Sequence, residues 1–155
     1  MDESGKDKLN KFKTKLARYC AYRERTQQEI LKKSWEIGLQ KDEAATLLDW
    51  LVAENFVNEE RFARVFVRDK FYLNKWGRNK IRQGLAQKSI GDHWVEKAMS
   101  EIDEADYQSM LQQLMARKLD SVKADHVAER HQKTARFLIG KGYESDLVWK
   151  ALKNL

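Results

Sequence analysis

Proline is absent from this 155-residue sequence, cysteine occurs once and glycine seven times. The lone Cys20 cannot close an intramolecular disulfide, so no covalent staple supports the fold, and a reducing cytoplasm suits it. Without proline and with little glycine, the usual interruptions of helices are scarce. No run of about 18 apolar residues occurs, which excludes a helix crossing a membrane. The opening Met1–Lys6 lacks the apolar centre of a signal peptide, and a cytoplasmic location is expected. Metal ligands are scarce too. His126 and His131 stand five residues apart, on different faces of a helix, while His93 and Cys20 are distant singletons. Zinc needs three or four converging ligands, so no metal site is expected. No glycine-rich loop of phosphate-cradling or dinucleotide-binding type is present. Acid pairs such as Glu59–Glu60 fit helix starts better than acid–base chemistry. No catalytic residue, no cofactor and no enzymatic activity are therefore expected.

What is present is apolar and charged in helical proportions. Apolar residues make up 42% and charged residues 35%, a profile suited to an all-α protein with a heavily solvated surface. Thirty basic against 24 acidic residues leave a charge of +6, which hints at nucleic acid or an acidic protein as partner. The apolar residues repeat. From the origins Leu39, Ile90 and Tyr143, steps of four, five, eight, nine and twelve residues reach one helix face in three copies. The copies read Glu43, Ala44, Leu47, Leu48, Leu51; Trp94, Val95, Ala98, Met99, Ile102; and Leu147, Val148, Ala151, Leu152, Leu155. Fourteen of the fifteen positions are apolar, and the origins lie 51 and 53 residues apart. That period indicates stacked supersecondary units, and units of about 50 residues must pack on one another to be stable.

Local signals divide the chain into a flexible N-terminus at 1–10 and three three-helix units at 11–57, 58–103 and 104–155, forming an elongated tandem array. A first helix is expected over Phe12–Arg23. The Thr26–Glu29 capping box starts a second that Gly38 ends, and a third spans about Asp42 to Glu54. Asn58 caps a helix running to about Tyr72 and burying Phe62, Val65 and Phe66. A helix from Arg78 to Lys88 follows the turn at Gly77, and Asp92 caps the next. Asp106 caps a helix to Leu119, Asp120–Asp125 makes a flexible joint on which the third unit swings, and Ser145 caps the last helix. Trp35, Trp50 and Trp76 are expected at helix–helix contacts.

Basic residues concentrate on the middle helices. Lys75, Arg78, Asn79 and Arg82 share one stripe, flanked by Lys70, Lys80 and Trp76, while Arg130, Lys133, Arg136 and Lys141 dress the corresponding part of the third unit. Repeated positive faces suit a polyanion or an acidic groove, and Trp76 offers either a stacking surface or a packing contact.

The run Glu60-Arg61-Phe62-Ala63-Arg64-Val65-Phe66-Val67-Arg68-Asp69-Lys70, followed by Trp76-Gly77-Arg78-Asn79-Lys80-Ile81-Arg82, resembles the central signature of the RecX family of recombinase regulators. Arg18–Thr26 with Leu51–Phe56, and Phe137–Tyr143, resemble its first and closing units. The resemblance implies three tandem three-helix units, no enzymatic activity, and a partner in RecA, above all the RecA filament on single-stranded DNA. It implies restraint of that filament's ATP hydrolysis, strand exchange and coprotease action, with direct DNA contact in some members, and places a DNA repair and SOS-response role. A monomer is expected, with the ten residues Lys70, Lys75, Trp76, Arg78, Lys80, Arg82, Arg130, Lys133, Arg136 and Lys141 forming the surface for partner or DNA. The alternative is a stand-alone helical DNA-binding module acting independently of RecA. Two positions depart from the family pattern: Ser89 stands where the family has glycine, and Gly84 lies inside a helix.

Overall fold

The computed structural model describes residues 3–155. Among these, nine α-helices follow one another with no strand: α1 (Glu3–Tyr22), α2 (Gln27–Glu36), α3 (Lys41–Ala53), α4 (Glu59–Arg68), α5 (Arg78–Gln87), α6 (Asp92–Met99), α7 (Glu104–Ser121), α8 (Val127–Gly140) and α9 (Ser145–Lys153). They form three consecutive three-helix units. Helix α1 begins far earlier than expected: residues 3–10 are its first turns, not a frayed segment, while Met1 and Asp2 lie outside the described residues. Leu9 on these turns packs against the core of unit 1 beside Phe12, which explains why the helix extends beyond Phe12.

The capping signals act largely as read. Thr26 and Glu29 form the reciprocal box, with bonds of 3.1 and 3.2 Å. The Asn58 side chain accepts from the Arg61 amide at 2.9 Å. Gly38 takes a left-handed φ of +98° just past α2, and Asn55 stops the chain just past α3 at φ +63°. Three caps fall elsewhere. Asp103, not Asp106, caps α7, and Gly91 and Glu144 precede α6 and α9, so that Asp92 and Ser145 are the first helical residues. Helix α4 runs on into a π-helical turn, Asp69–Leu73. The buried stripe is Phe62, Ala63, Val67 and Phe71, centred between the expected positions, while Val65 and Phe66 are only half-buried.

The threefold pattern is the core. All three origins are buried, as are Ala44, Val95 and Val148 five residues on; Glu43, the capping partner of Gln40, and Leu155, 74% exposed at the last position, stand outside. Of the tryptophans, Trp50 and Trp76 pack on cores as expected, but Trp35 is 57% exposed.

Two separate cores result, not three. Leu16, Ile30, Leu39, Leu47 and Leu51 form one inside unit 1. Units 2 and 3 share the other, from Phe62 and Phe71 through Ile81 and Leu85 to Tyr107, Leu138 and Tyr143. The expected swing of the third unit is thereby corrected. Residues 122–126 do form a non-helical connector, but they lie within unit 3 and do not release it from unit 2.

Candidate polyanion and partner interface

The first turn of α5 explains the fusion of units 2 and 3. Like every helix start it leaves amides without intrahelical partners, and no side chain of unit 2 caps it. Unit 3 does so instead. The Gly77 amide donates to the Lys141 carbonyl at 2.8 Å, the Asn79 amide to the Gly142 carbonyl at 2.9 Å, and the Arg78 amide to the Tyr107 hydroxyl at 3.1 Å. The Arg78 guanidinium lies 3.7 Å from the centre of the Tyr107 ring and donates to Glu144 at 2.9 Å and to Glu104. Burial opposes the charge of Arg78, but Glu144 and Glu104 outweigh it and hold the guanidinium protonated. The Tyr107 hydroxyl donates to Glu144, and that of Tyr143 to the Lys75 carbonyl at 3.0 Å. Burial pushes both phenols well above their ordinary pKa, so both remain donors throughout the physiological range.

This geometry sorts the ten candidate residues. Arg78 is an interunit brace and not a free cation. Arg130 is a brace within unit 3, its guanidinium donating at 2.6 Å to the Leu119 carbonyl in the last turn of α7. Arg82 pairs with Glu96 at 3.1 Å on α6. Lys75 sits in the turn before α5 with φ +62°, off the helical stripe expected of it. The stripe Lys75–Arg78–Asn79–Arg82 is thus not one binding face: spacing showed which residues shared a side, but the carboxylates that neutralise two of them come from α6, α7 and the α8–α9 turn.

Other candidates do converge. The Lys70 and Lys80 ammoniums lie 4.8 and 4.4 Å from the centre of the half-buried Trp76 ring. Lys141 stands near enough to Lys75 and Lys80 that, with burial as the larger cause, their charges lower its pKa. Lys141 also lies 5.9 Å from the centre of the exposed Phe137 ring, which Lys118 approaches at 4.4 Å from α7. Beyond Phe137, Lys123, Lys133 and Arg136 line a cleft of about 380 Å³. Among the described residues Lys70, Lys75, Lys80, Lys141, Lys118 and Arg136 have no carboxylate within 4.0 Å; Lys133 pairs with Glu129. A cationic track therefore crosses the joint of units 2 and 3. Lys118, Lys123 and Phe137 were missed from sequence; only Phe137, adjacent to Arg136, carried a local hint.

Residues 58–99 match the model of the RecX second three-helix domain, and residues 104–152 that of its third. The chain belongs to the RecX family. Among its relatives are proteins named regulatory protein RecX from Clostridium botulinum, 30% identical over 131 residues covering 83% of this chain, and from Clostridium perfringens, 28% identical over 151 residues covering 96%. The chain spans 61% of the first relative's length and 70% of the second's. A crystal structure of a regulatory protein RecX superposes with a TM-score of 0.87 at 24% identity, over all of this chain and 80% of that one. The RecX structure from Lactobacillus salivarius gives 0.86 at 20% identity, over 96% and 97%. These likenesses establish the RecX fold for the chain. In the RecX frame the bracing residues Gly77, Arg78 and Tyr107 fall within the two matched domains, on either side of their boundary. No described helix is long and apolar enough to cross a membrane.

Proposed function

We propose that this RecX-family chain regulates a RecA recombinase, as an inhibitor, by binding the RecA filament on single-stranded DNA. The observation that carries this reading is the track of lysines without carboxylate partners around Trp76 and Phe137, on a rigid two-unit body. Such a surface complements repeating negative charge, whether of phosphates or of an acidic protein groove. Membership of the RecX family supports a recombinase as the partner. An elongated body laid across successive RecA protomers would restrain the addition and loss of subunits while leaving the nucleotide site untouched.

The test adds the protein to RecA-coated single-stranded DNA and follows ATP hydrolysis and filament length. Inhibition of both is expected, with the combined Lys75→Glu, Lys80→Glu and Lys141→Glu substitutions weakening it at least tenfold and Arg82→Glu having little effect. Unchanged hydrolysis and length at saturating protein would sink the proposal. The same track also favours a second reading, DNA binding without RecA. That reading requires affinity for bare DNA, with log K falling about 0.7 per neutralised phosphate against log salt on single strands.

A further inference from the structure

Unit 1 bears a groove that the cationic track does not reach. It is an open groove of about 540 Å³ between α1 and the end of α3. Its floor is Thr14, Ala17 and Ala21, all small and on one face of α1, and its wall is Trp50 with Phe56. Thr14 bonds the Asn10 carbonyl at 3.0 Å, so its hydroxyl is already satisfied and the floor is effectively apolar. From Thr14 to Ala21 the floor runs about 10 Å, two turns of helix.

The rim is cationic. Helix α1 carries six basic against two acidic residues, and Lys13 and Arg18 at the groove have no carboxylate within 4.0 Å among the described residues. An apolar floor under a positive rim complements a helix with an apolar stripe flanked by acids. A second copy of this chain would bring its own net charge of +6 to the same rim, which opposes self-docking. Nucleic acid would satisfy the rim but not the wall. Trp50 stacks on Phe56 with centroids 5.5 Å apart and carries the Lys13 ammonium at 4.9 Å, so it offers a base no free ring face.

We propose that this groove docks an acidic amphipathic helix of a protein partner, its apolar stripe on Thr14, Ala17 and Ala21 and its carboxylates toward Lys13 and Arg18. Small floor residues allow close approach of the incoming backbone, while the ring edges of Trp50 and Phe56 form an apolar wall along its side.

The probe is a stapled helical peptide of leucines at i, i+3, i+4 and i+7 with glutamate elsewhere, titrated into the full chain by amide and indole NMR. Saturable shifts are expected at Thr14, Ala17, Arg18, Ala21 and the Trp50 indole. Ala21→Trp, on the solvent side of the floor, should weaken binding at least tenfold with the circular dichroism unchanged. Arg18→Glu should weaken it severalfold at low salt and less at high salt. Three outcomes overturn the proposal: no saturable shift at these residues, equal binding of the same peptide with lysine for glutamate, or stronger shifts of these resonances by oligothymidylate. Because the groove lies outside the track, this result and the filament assay are read independently.

Discussion

Four backbone positions carry unusual constraints. A Cβ at Gly77 would lie 2.3 Å from the Gly142 carbonyl carbon and the Tyr143 amide, and one at Gly142 would lie 2.6 Å from the Lys80 amide at a φ of +104°. Neither set of backbone atoms can withdraw cheaply, because the Gly142 carbonyl accepts from the Asn79 amide across the joint, the Tyr143 amide donates to Leu138 in unit 3, and the Lys80 amide lies in the first turn of α5. Gly142→Ala is expected to cost about 3 kcal/mol, combining a left-handed strain with overpacking, and to lower the thermal midpoint of units 2 and 3. Ser89 makes the opposite case. It sits at φ +60° past α5, where a side chain costs about 1–2 kcal/mol. Ser89→Gly should therefore stabilise the chain by about 1 kcal/mol after the entropy of glycine is deducted, as chemical denaturation would measure. Gly84 turns out to have a packing reason: its Cβ would lie 2.8 Å from the Phe66 ring, which rests across α5.

Among the elements, α2 shows how a sequence-local device becomes a pH-dependent one. Burial opposes ionisation of Glu29, yet the Thr26 amide and Arg23 outweigh it and hold its pKa below the ordinary 4.5. A carboxyl more acidic in the folded state stabilises the fold fully above that ordinary value, and its contribution is lost as pH falls through the lowered one. Glu29→Gln keeps the capping bond but loses the charge, so it should reduce stability at neutral pH by about 0.5 kcal/mol and flatten the decline in acid below pH 4.5, seen by denaturation at pH 3 to 7. The start of α5 works on another principle. Its amides depend on carbonyls and a phenol some 30 to 65 residues away, so no local motif announces them.

At the scale of the whole molecule the chain is two bodies. Units 2 and 3 are joined by a common core, aromatic contacts from Phe71 through Tyr107 to Tyr143, and the bonds at Gly77. Unit 1 keeps its own core and is tied on mainly by Arg61, which pairs with Glu24 at 2.6 Å and donates to the Asn55 and Phe56 carbonyls. This pair is partly exposed, so solvent screens it and its removal should cost about 1 kcal/mol. Arg61→Ala is expected to speed hydrogen exchange across α1–α3 while leaving the slow amides of α5 and α8 unchanged. Equal acceleration in all three units would show that the chain opens as one body.

Fold class, helix count and the threefold core were legible because an apolar helix face is written at fixed spacing, and Leu39, Ile90 and Tyr143 needed no partner to be recognised. The capping box at Thr26 and the stop at Gly38 were legible for the same reason: donor and acceptor lie within a few residues. The site was read only in part. Lys70, Lys80 and Lys141 carried their charge into the structure, but whether a cation stays free depends on which carboxylates tertiary packing brings beside it. Glu144 and Glu104 converted Arg78 from an expected contact into a brace, and Glu96 did the same to Arg82. Sequence by itself determined the helices and the faces they bury, since those follow from short-range spacing. Only the tertiary structure decided that the three units make two bodies, and which basic residues remain open, because both depend on contacts between segments far apart in the chain.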